Sequence, residues 1–170
     1  ADAFSTINEL YNYGELVATN YGVYNSTDSV FGYLYNYGSF TSDNVSIFND
    51  VDGVFTKIDN YGVISGGSYA IYNAGSILDG VYNRGVLDGD VYLNDAVLNL
   101  LYGSSVYGDI TGGSGSILNI GSSDEPVSFT TNGEADVGTI NITEGSTLNL
   151  SDGATWSAEE EGIINYGNIS

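Results

Sequence analysis

Hydrophobic and polar positions alternate along this chain in short bursts, each closed by Asn, Gly, Asp or Ser. The string Leu10-Tyr11-Asn12-Tyr13-Gly14 returns as Leu34-Tyr35-Asn36-Tyr37-Gly38, as Ile58-Asp59-Asn60-Tyr61-Gly62 and as Val81-Tyr82-Asn83-Arg84-Gly85. Its asparagines stand 24, 24 and 23 residues apart. A second string, Val23-Tyr24-Asn25, recurs as Ile47-Phe48-Asn49 and Ile71-Tyr72-Asn73, and degenerates to Val91-Tyr92-Leu93. An apolar pair follows each: Val30-Phe31, Val54-Phe55, Ile77-Leu78 and Val97-Leu98. No segment holds the 3.6-residue apolar period over the length a helix needs.

Hairpins between neighbouring strands do not require matching residues at a fixed long spacing. Coiling does, because each position then stacks on its counterpart one rung away. The pattern therefore predicts an all-β, single-domain parallel β-solenoid of about eight rungs, roughly 20–24 residues each, forming a rod about 35–40 Å tall. Each unit holds about three short strands. Strand alternation points Leu10, Asn12 and Leu16 inward, and Tyr11, Tyr13 and Glu15 outward. Inward asparagines at a corner can satisfy bent backbone and stack on one another as amide ladders. Two such ladders are expected: Asn12, Asn36, Asn60 and Asn83, and Asn25, Asn49 and Asn73. Glycine supplies positive φ or close backbone approach at the bends.

Residues 1–95 carry these regular Asn-x-Gly rungs, and residues 96–170 a less regular type within the same domain. There Leu98-Asn99-Leu100, Leu118-Asn119-Ile120 and Ile140-Asn141-Ile142 are spaced 20 and 22 apart. The segment Ser122-Ser123-Asp124-Glu125-Pro126 reads as a loop, and Leu148-Asn149-Leu150 as one more strand core. The first corner type then reappears at Ile163-Ile164-Asn165-Tyr166-Gly167.

Composition narrows the functions available. The 170 residues include 2 Lys+Arg against 22 Asp+Glu, a formal charge of −20, with no His and no Cys. Nucleic-acid binding lacks its cations. Cys or His zinc sites, His-based catalysis and disulfides are absent by composition. No apolar run reaches the roughly 18 residues of a membrane span, so no membrane insertion by this segment is expected. An apolar share of 42% and an aromatic share of 13% argue for a packed fold over an acidic disordered tail. The absence of an initiating Met fits a processed mature form or an excised fragment. The acidic, thiol-free composition suits a secreted, extracellular protein.

The stretches Asn60-Tyr61-Gly62-Val63-Ile64-Ser65-Gly66-Gly67, Ile71-Tyr72-Asn73-Ala74-Gly75-Ser76-Ile77, residues 108–117 and residues 145–156 are worded like rungs of a known group. They resemble the repeats of bacterial autotransporter passenger domains and large surface adhesins. That resemblance implies a right-handed β-helix, export, and a surface role in adhesion or aggregation, with a host or cell-surface protein or glycan as partner. The chain departs from the family in being short and in lacking a membrane-barrel segment. Its ends suggest another partner, the chain itself. Leu10 and Tyr11 near the start and Ile163, Ile164 and Asn165 near the end are both rung-like, and neither end carries an amphipathic cap. Stacked head to tail they would build an open filament.

A polysaccharide-degrading enzyme is the third class, since parallel β-helices host lyases and hydrolases. The carboxylate pairs Asp50/Asp52 and Asp88/Asp90 and the run Glu159-Glu160-Glu161 satisfy glycosidase spacing only trivially. The cations a lyase base would need reduce to Arg84, at a repeat corner, and an isolated Lys57. The expectation is no catalysis and no cofactor. Asp50-Val51-Asp52-Gly53 resembles half of an EF-hand loop, with Phe48 at the first ligand position. Gly112-Gly113-Ser114-Gly115-Ser116-Ile117 begins like a calcium nonapeptide but has Ile117 for Asp. Weak Ca²⁺ binding to the acidic surface is the most these support. Outward aromatics predict ladders at Tyr13, Tyr37 and Tyr61, at Tyr24, Phe48, Tyr72 and Tyr92, and at Tyr11, Tyr35 and Tyr82 with Asp59 interrupting. These either shield the sheet or form a strip for lateral protein contacts or sugar rings. Sequons at Asn25, Asn44, Asn141, Asn149 and Asn168 support glycosylation only as far as composition allows.

Overall fold

The computed structural model describes residues 5–151 and 153–170. The described chain is all strand, turn and bend, with no helix, and every strand pairing is parallel. It winds as a β-solenoid with three faces. Face one holds Thr6–Asn12, Val30–Asn36, Val54–Asn60, Val81–Asn83, Val97–Leu100 and Ile117–Ile120, then residues 139–142 and 162–165. Face two stacks Glu15–Ala18, Ser39–Ser42 and the first residues of Val63–Asn73 and Val86–Tyr92 onto Ser105–Val106. Face three stacks Tyr21–Asn25, Val45–Asn49, the last residues of those two long strands, Ile110–Thr111 and residues 135–137 and 156–158. Strands that round a corner join most of these ladders into one 17-stranded sheet. Past Ser105–Val106, face two resumes as a separate three-stranded sheet of Ser128–Thr131, Thr147–Leu150 and Asn168–Ile169.

The registers follow the sequence period. Leu10 sits against Leu34, Leu34 against Ile58, and the column runs on through Val81, Leu98, Leu118, Ile140 and Ile163. These are eight levels joined by seven steps, which the rung spacing of about 4.8 Å turns into a stack about 34 Å deep. Strand boundaries differ from the sequence reading in one respect. Val30-Phe31 and Leu34-Tyr35-Asn36 belong to a single face-one strand, and the residues after each corner glycine form the separate face-two strand. The apolar pair and the Asn string are thus the two halves of one strand, which dips inward at both Phe31 and Leu34. The rung from Val81 to Leu98 shrinks to 17 residues. The bend made by Gly66-Gly67-Ser68 contracts there to Gly89, and the first half of the face-one strand disappears. This is the physical content of the change in rung type near residue 95.

The core is the interior of the coil. Three inward columns carry it: Leu34 to Ile140 on face one, Phe40 to Leu148 on face two, and Ile47 to Ala135 on face three, all essentially without solvent contact. Flat, regular stacking lets each side chain meet its like one rung away, so packing needs no jigsaw of unlike shapes.

Candidate functional site

Strand alternation places the asparagines of Asn-x-Gly on the inside, where an amide is tolerated only if every hydrogen bond is made. They are buried and they are satisfied. Nδ2 of Asn12 donates to Oδ1 of Asn36 at 2.9 Å, Asn36 to Asn60 at 2.8 Å, and Asn60 to Asn83 at 2.8 Å. The same amides donate to backbone carbonyls one rung on: Ser39, Val63 and Val86. Asn25, Asn49 and Asn73 repeat the arrangement at 2.8 and 2.7 Å on face three, and Asn73 closes it on the Leu93 carbonyl. A third ladder, Asn99, Asn119 and Asn141, runs half-buried on the outer side of face one at 2.8 and 2.9 Å. The repeated φ-Asn-φ wording marked it, yet nothing in that wording says that the amides link to each other. Asn25 spends its side chain inside a ladder and Asn141 in another, which leaves neither as a free glycosylation acceptor; Asn168 is exposed.

The corner glycine is explained by close approach. A Cβ on Gly38 would lie 2.0 Å from the Gly14 carbonyl oxygen, one on Gly62 1.9 Å from that of Gly38, and one on Gly85 2.1 Å from that of Gly62. Among the described non-glycine residues, positive φ occurs at Asp28, Asp52 and Asn94, in three of the turns between faces three and one, where short polar side chains tolerate it.

Outside, the aromatics stack as the spacing predicts. Tyr13, Tyr37 and Tyr61 lie ring on ring at 5.0 Å with interplanar angles of 5° and 11°. Tyr24, Phe48, Tyr72 and Tyr92 follow at 5.3, 5.2 and 5.1 Å, and Tyr11 stacks on Tyr35 at 4.8 Å. Ring faces are turned along the rod toward the next ring, so a molecule approaching from the side meets ring edges. That geometry favours shielding and ladder packing over sugar stacking, which uses the ring face.

The chain's two cations are drawn together. Lys57 Nζ lies 2.8 Å from one oxygen of Asp59 and Arg84 3.1 Å from the other, with Asp59 nearly buried between them. Lys57 also sits over the Tyr82 ring at 4.3 Å, and Arg84 over Tyr61 at 5.3 Å, capping the first tyrosine ladder. Lys57 is therefore not isolated as its sequence position suggests; the coil brings it beside Arg84 across one rung. Burial pushes the Lys57 ammonium down, but the hydrogen bond and charge of Asp59 outweigh it, and its pKa rises above the ordinary lysine value.

The candidate carboxylates are engaged locally. Asp50 accepts a 2.7 Å hydrogen bond from Tyr24 and one from the Val51 amide, which together hold its carboxyl below the usual range, and the bond to Asp50 raises the Tyr24 phenol. Asp88 accepts from Ser65, and Asp90 from the Asp109 amide, along an open groove at the bend between faces two and three. Glu159 and Glu161 are exposed on the last long strand; the Glu160 side chain lies outside the described residues. The glycine-rich run 112–117 packs on the turn below it, with Gly115 N donating to Asp95 and any Cβ at Gly113 meeting that carboxylate at 2.8 Å. Among the described residues no group of three Asp or Glu is arranged to hold a metal ion.

The remaining surface is the pair of rung edges. Columns that are solvent-free inside end in exposed apolar groups: Leu16 is 41% exposed at the N-terminal edge, and Ile163 and Ile169 are 42% and 46% exposed at the C-terminal edge. Tyr13 and Tyr166, at 73% and 74%, are among the most exposed tyrosines. Asn165 stands in the same column as Asn12, reached through Leu100, Ile120 and Ile142, and each accepts the amide of the glycine two residues on. Compared with protein-family models, curated protein sequences and solved structures, the chain matches none.

Proposed function

We propose that this chain is a non-catalytic, extracellular structural subunit that builds a filament by stacking its rungs end to end with other copies. The supporting observation is that the inner apolar columns run open at both edges, ending at Leu16 on one and at Ile163 and Ile169 on the other. An open rung also presents a row of unpaired backbone groups, which a further parallel strand satisfies. A like rung supplies both the apolar cover and the hydrogen bonds. The adhesive reading draws on the resemblance to surface-adhesin repeats, but the outward rings offer edges rather than a platform for a ligand. Negative-stain electron microscopy of the purified chain over a concentration series tests the proposal. Fibres one solenoid wide, lengthening with concentration, are expected. A chain that stays monomeric throughout its soluble range would overturn it.

A further inference from the structure

The two edges match residue by residue, and we infer that the joint has one register, in which the C-terminal rung of one copy carries Asn165 under Asn12 and Tyr166 under Tyr13 of the next. This rests on the filament reading above and adds the contacts that make it specific. Within the Asn12 ladder, each lower asparagine gives its amide to the Oδ1 of the asparagine above, while backbone bonds between rungs run both ways, as Tyr37 N to Asn12 O at 2.8 Å and Ile58 N to Gly80 O at 3.2 Å. At the N-terminal edge Asn12 Oδ1 accepts only the Gly14 amide, and at the C-terminal edge no hydrogen bond from the Asn165 amide group is made among the described residues. One edge offers the acceptor and the other the donor. The joint is therefore polar, head to tail, and a head-to-head pair would bring like groups together.

Three further features agree with that register. Ile163 falls beneath Leu10 and Ile169 beneath Leu16, so both open apolar columns are covered by aliphatic side chains. Tyr166 falls beneath Tyr13 and extends the stack of Tyr13, Tyr37 and Tyr61 across the joint. Glu9 meets Gly162 and Glu15 meets Asn168, so no two carboxylates oppose each other across the described edges of a chain with a charge of −20. Face three stops one level lower, where Trp156 covers the Ala135 column and donates its indole N–H to Gly133 O at 3.1 Å. Faces one and two accordingly make the joint.

Gly14 is the most telling residue. Its counterparts Gly38, Gly62 and Gly85 are compelled to be glycine by the carbonyl of the rung below, whereas a Cβ on Gly14 would meet nothing within 4 Å, and its φ is not positive. Among the described residues of one molecule nothing requires glycine there. In the joint, the Gly167 carbonyl of the lower copy takes the place that Gly14 O holds beneath Gly38.

Two variants test this. Gly14→Ala should leave the circular dichroism spectrum and melting curve of the monomer unchanged while weakening association at least about tenfold, read by light scattering and microscopy. Because the chain has no cysteine, Tyr13→Cys combined with Tyr166→Cys should give a ladder of disulfide-linked multimers on mild oxidation. The register sets the two Cα atoms about 4.8 Å apart, inside the roughly 4.4–6.8 Å that a disulfide spans. The mismatched pair Val17→Cys with Tyr166→Cys should give none. Fibres that persist undiminished in Gly14→Ala, or that cross-link only through the mismatched pair, overturn the register and leave the filament reading standing. Absence of fibres from the unaltered chain overturns both.

Discussion

At the scale of single residues, burial decides what each polar group is worth. Asn36 both donates and accepts in its ladder, so Asn36→Ala strands one N–H of the Asn12 amide, which keeps only Ser39 O, and the Oδ1 of Asn60 in a dry interior. A loss of about 2–3 kcal/mol is expected from urea unfolding, the cost of stranding buried polar groups. The same column continues as Leu100, Ile120 and Ile142 farther along, and Asn83, which lies against Leu100, turns its amide to the Gly85 and Ser105 carbonyls instead. Asp59 holds Lys57 and Arg84, each about a quarter exposed, so solvent screening tempers the pair, and Asp59→Ala should cost about 1–2 kcal/mol. The pH consequences follow from the signs. The raised Lys57 pKa adds stability that is complete below the ordinary lysine value and is lost as pH rises through the folded one, in the alkaline range above about 10.4. The lowered Asp50 pKa adds stability that is present above the ordinary aspartate value, about 3.9, and disappears as pH falls through the folded one. Tyr24→Phe keeps the ring stack, as Phe48 already does in that column, and removes the hydrogen bond. The Asp50 carboxyl should then titrate closer to its ordinary value, followed by its carbon-13 shift.

At the scale of elements, the corner sets the rung. Gly62→Ala would drive a methyl into the Gly38 carbonyl, backbone against backbone, with no flexible group to yield. A loss on the order of 3–5 kcal/mol, or failure of that rung to close, is expected in thermal unfolding, in the class of changes that strain the backbone. The contrast with Gly14→Ala isolates the contact from any intrinsic cost of alanine at this bend. Strand existence was legible in the chain because alternation and period agree, as at Leu34-Tyr35-Asn36. Strand extent was not. Val30–Asn36 looks like two elements because Gly32 interrupts its alternation, and the separation of Ser39–Ser42 from the corner depends on where the bend falls. The cation pair was illegible for a related reason. Lys57 and Arg84 are far apart in sequence and share no motif, and only the register of residues 54–60 beneath residues 81–83 brings them to one carboxylate.

At the scale of the whole molecule, a rod with a charge of −20 repels its copies along their length and at their ends. Raising salt from about 0.01 to 0.15 M shortens the screening length from about 30 to about 8 Å. Assembly should therefore speed up and its threshold concentration fall, followed by light scattering. A quasi-one-dimensional fold also frays from its ends. Amide exchange in the isolated chain should be fastest in residues 6–18 and 162–169. Assembly should slow it there while leaving the inner rungs unchanged, which distinguishes end stacking from side-by-side bundling.

The amino-acid sequence alone determined that this chain is a coil of stacked parallel strands, because a repeat that aligns like with like at a fixed spacing has that one economical solution. It also determined the amide and aromatic ladders, since stacked identical residues must meet. Tertiary structure decided what the period cannot encode: which corner glycines bear a carbonyl, that both cations share Asp59, and that Leu16, Ile163 and Ile169 are exposed where their inner counterparts are buried. Those properties depend on what lies above and below each residue, and the two terminal rungs are the places where a repeating pattern says least about its neighbour.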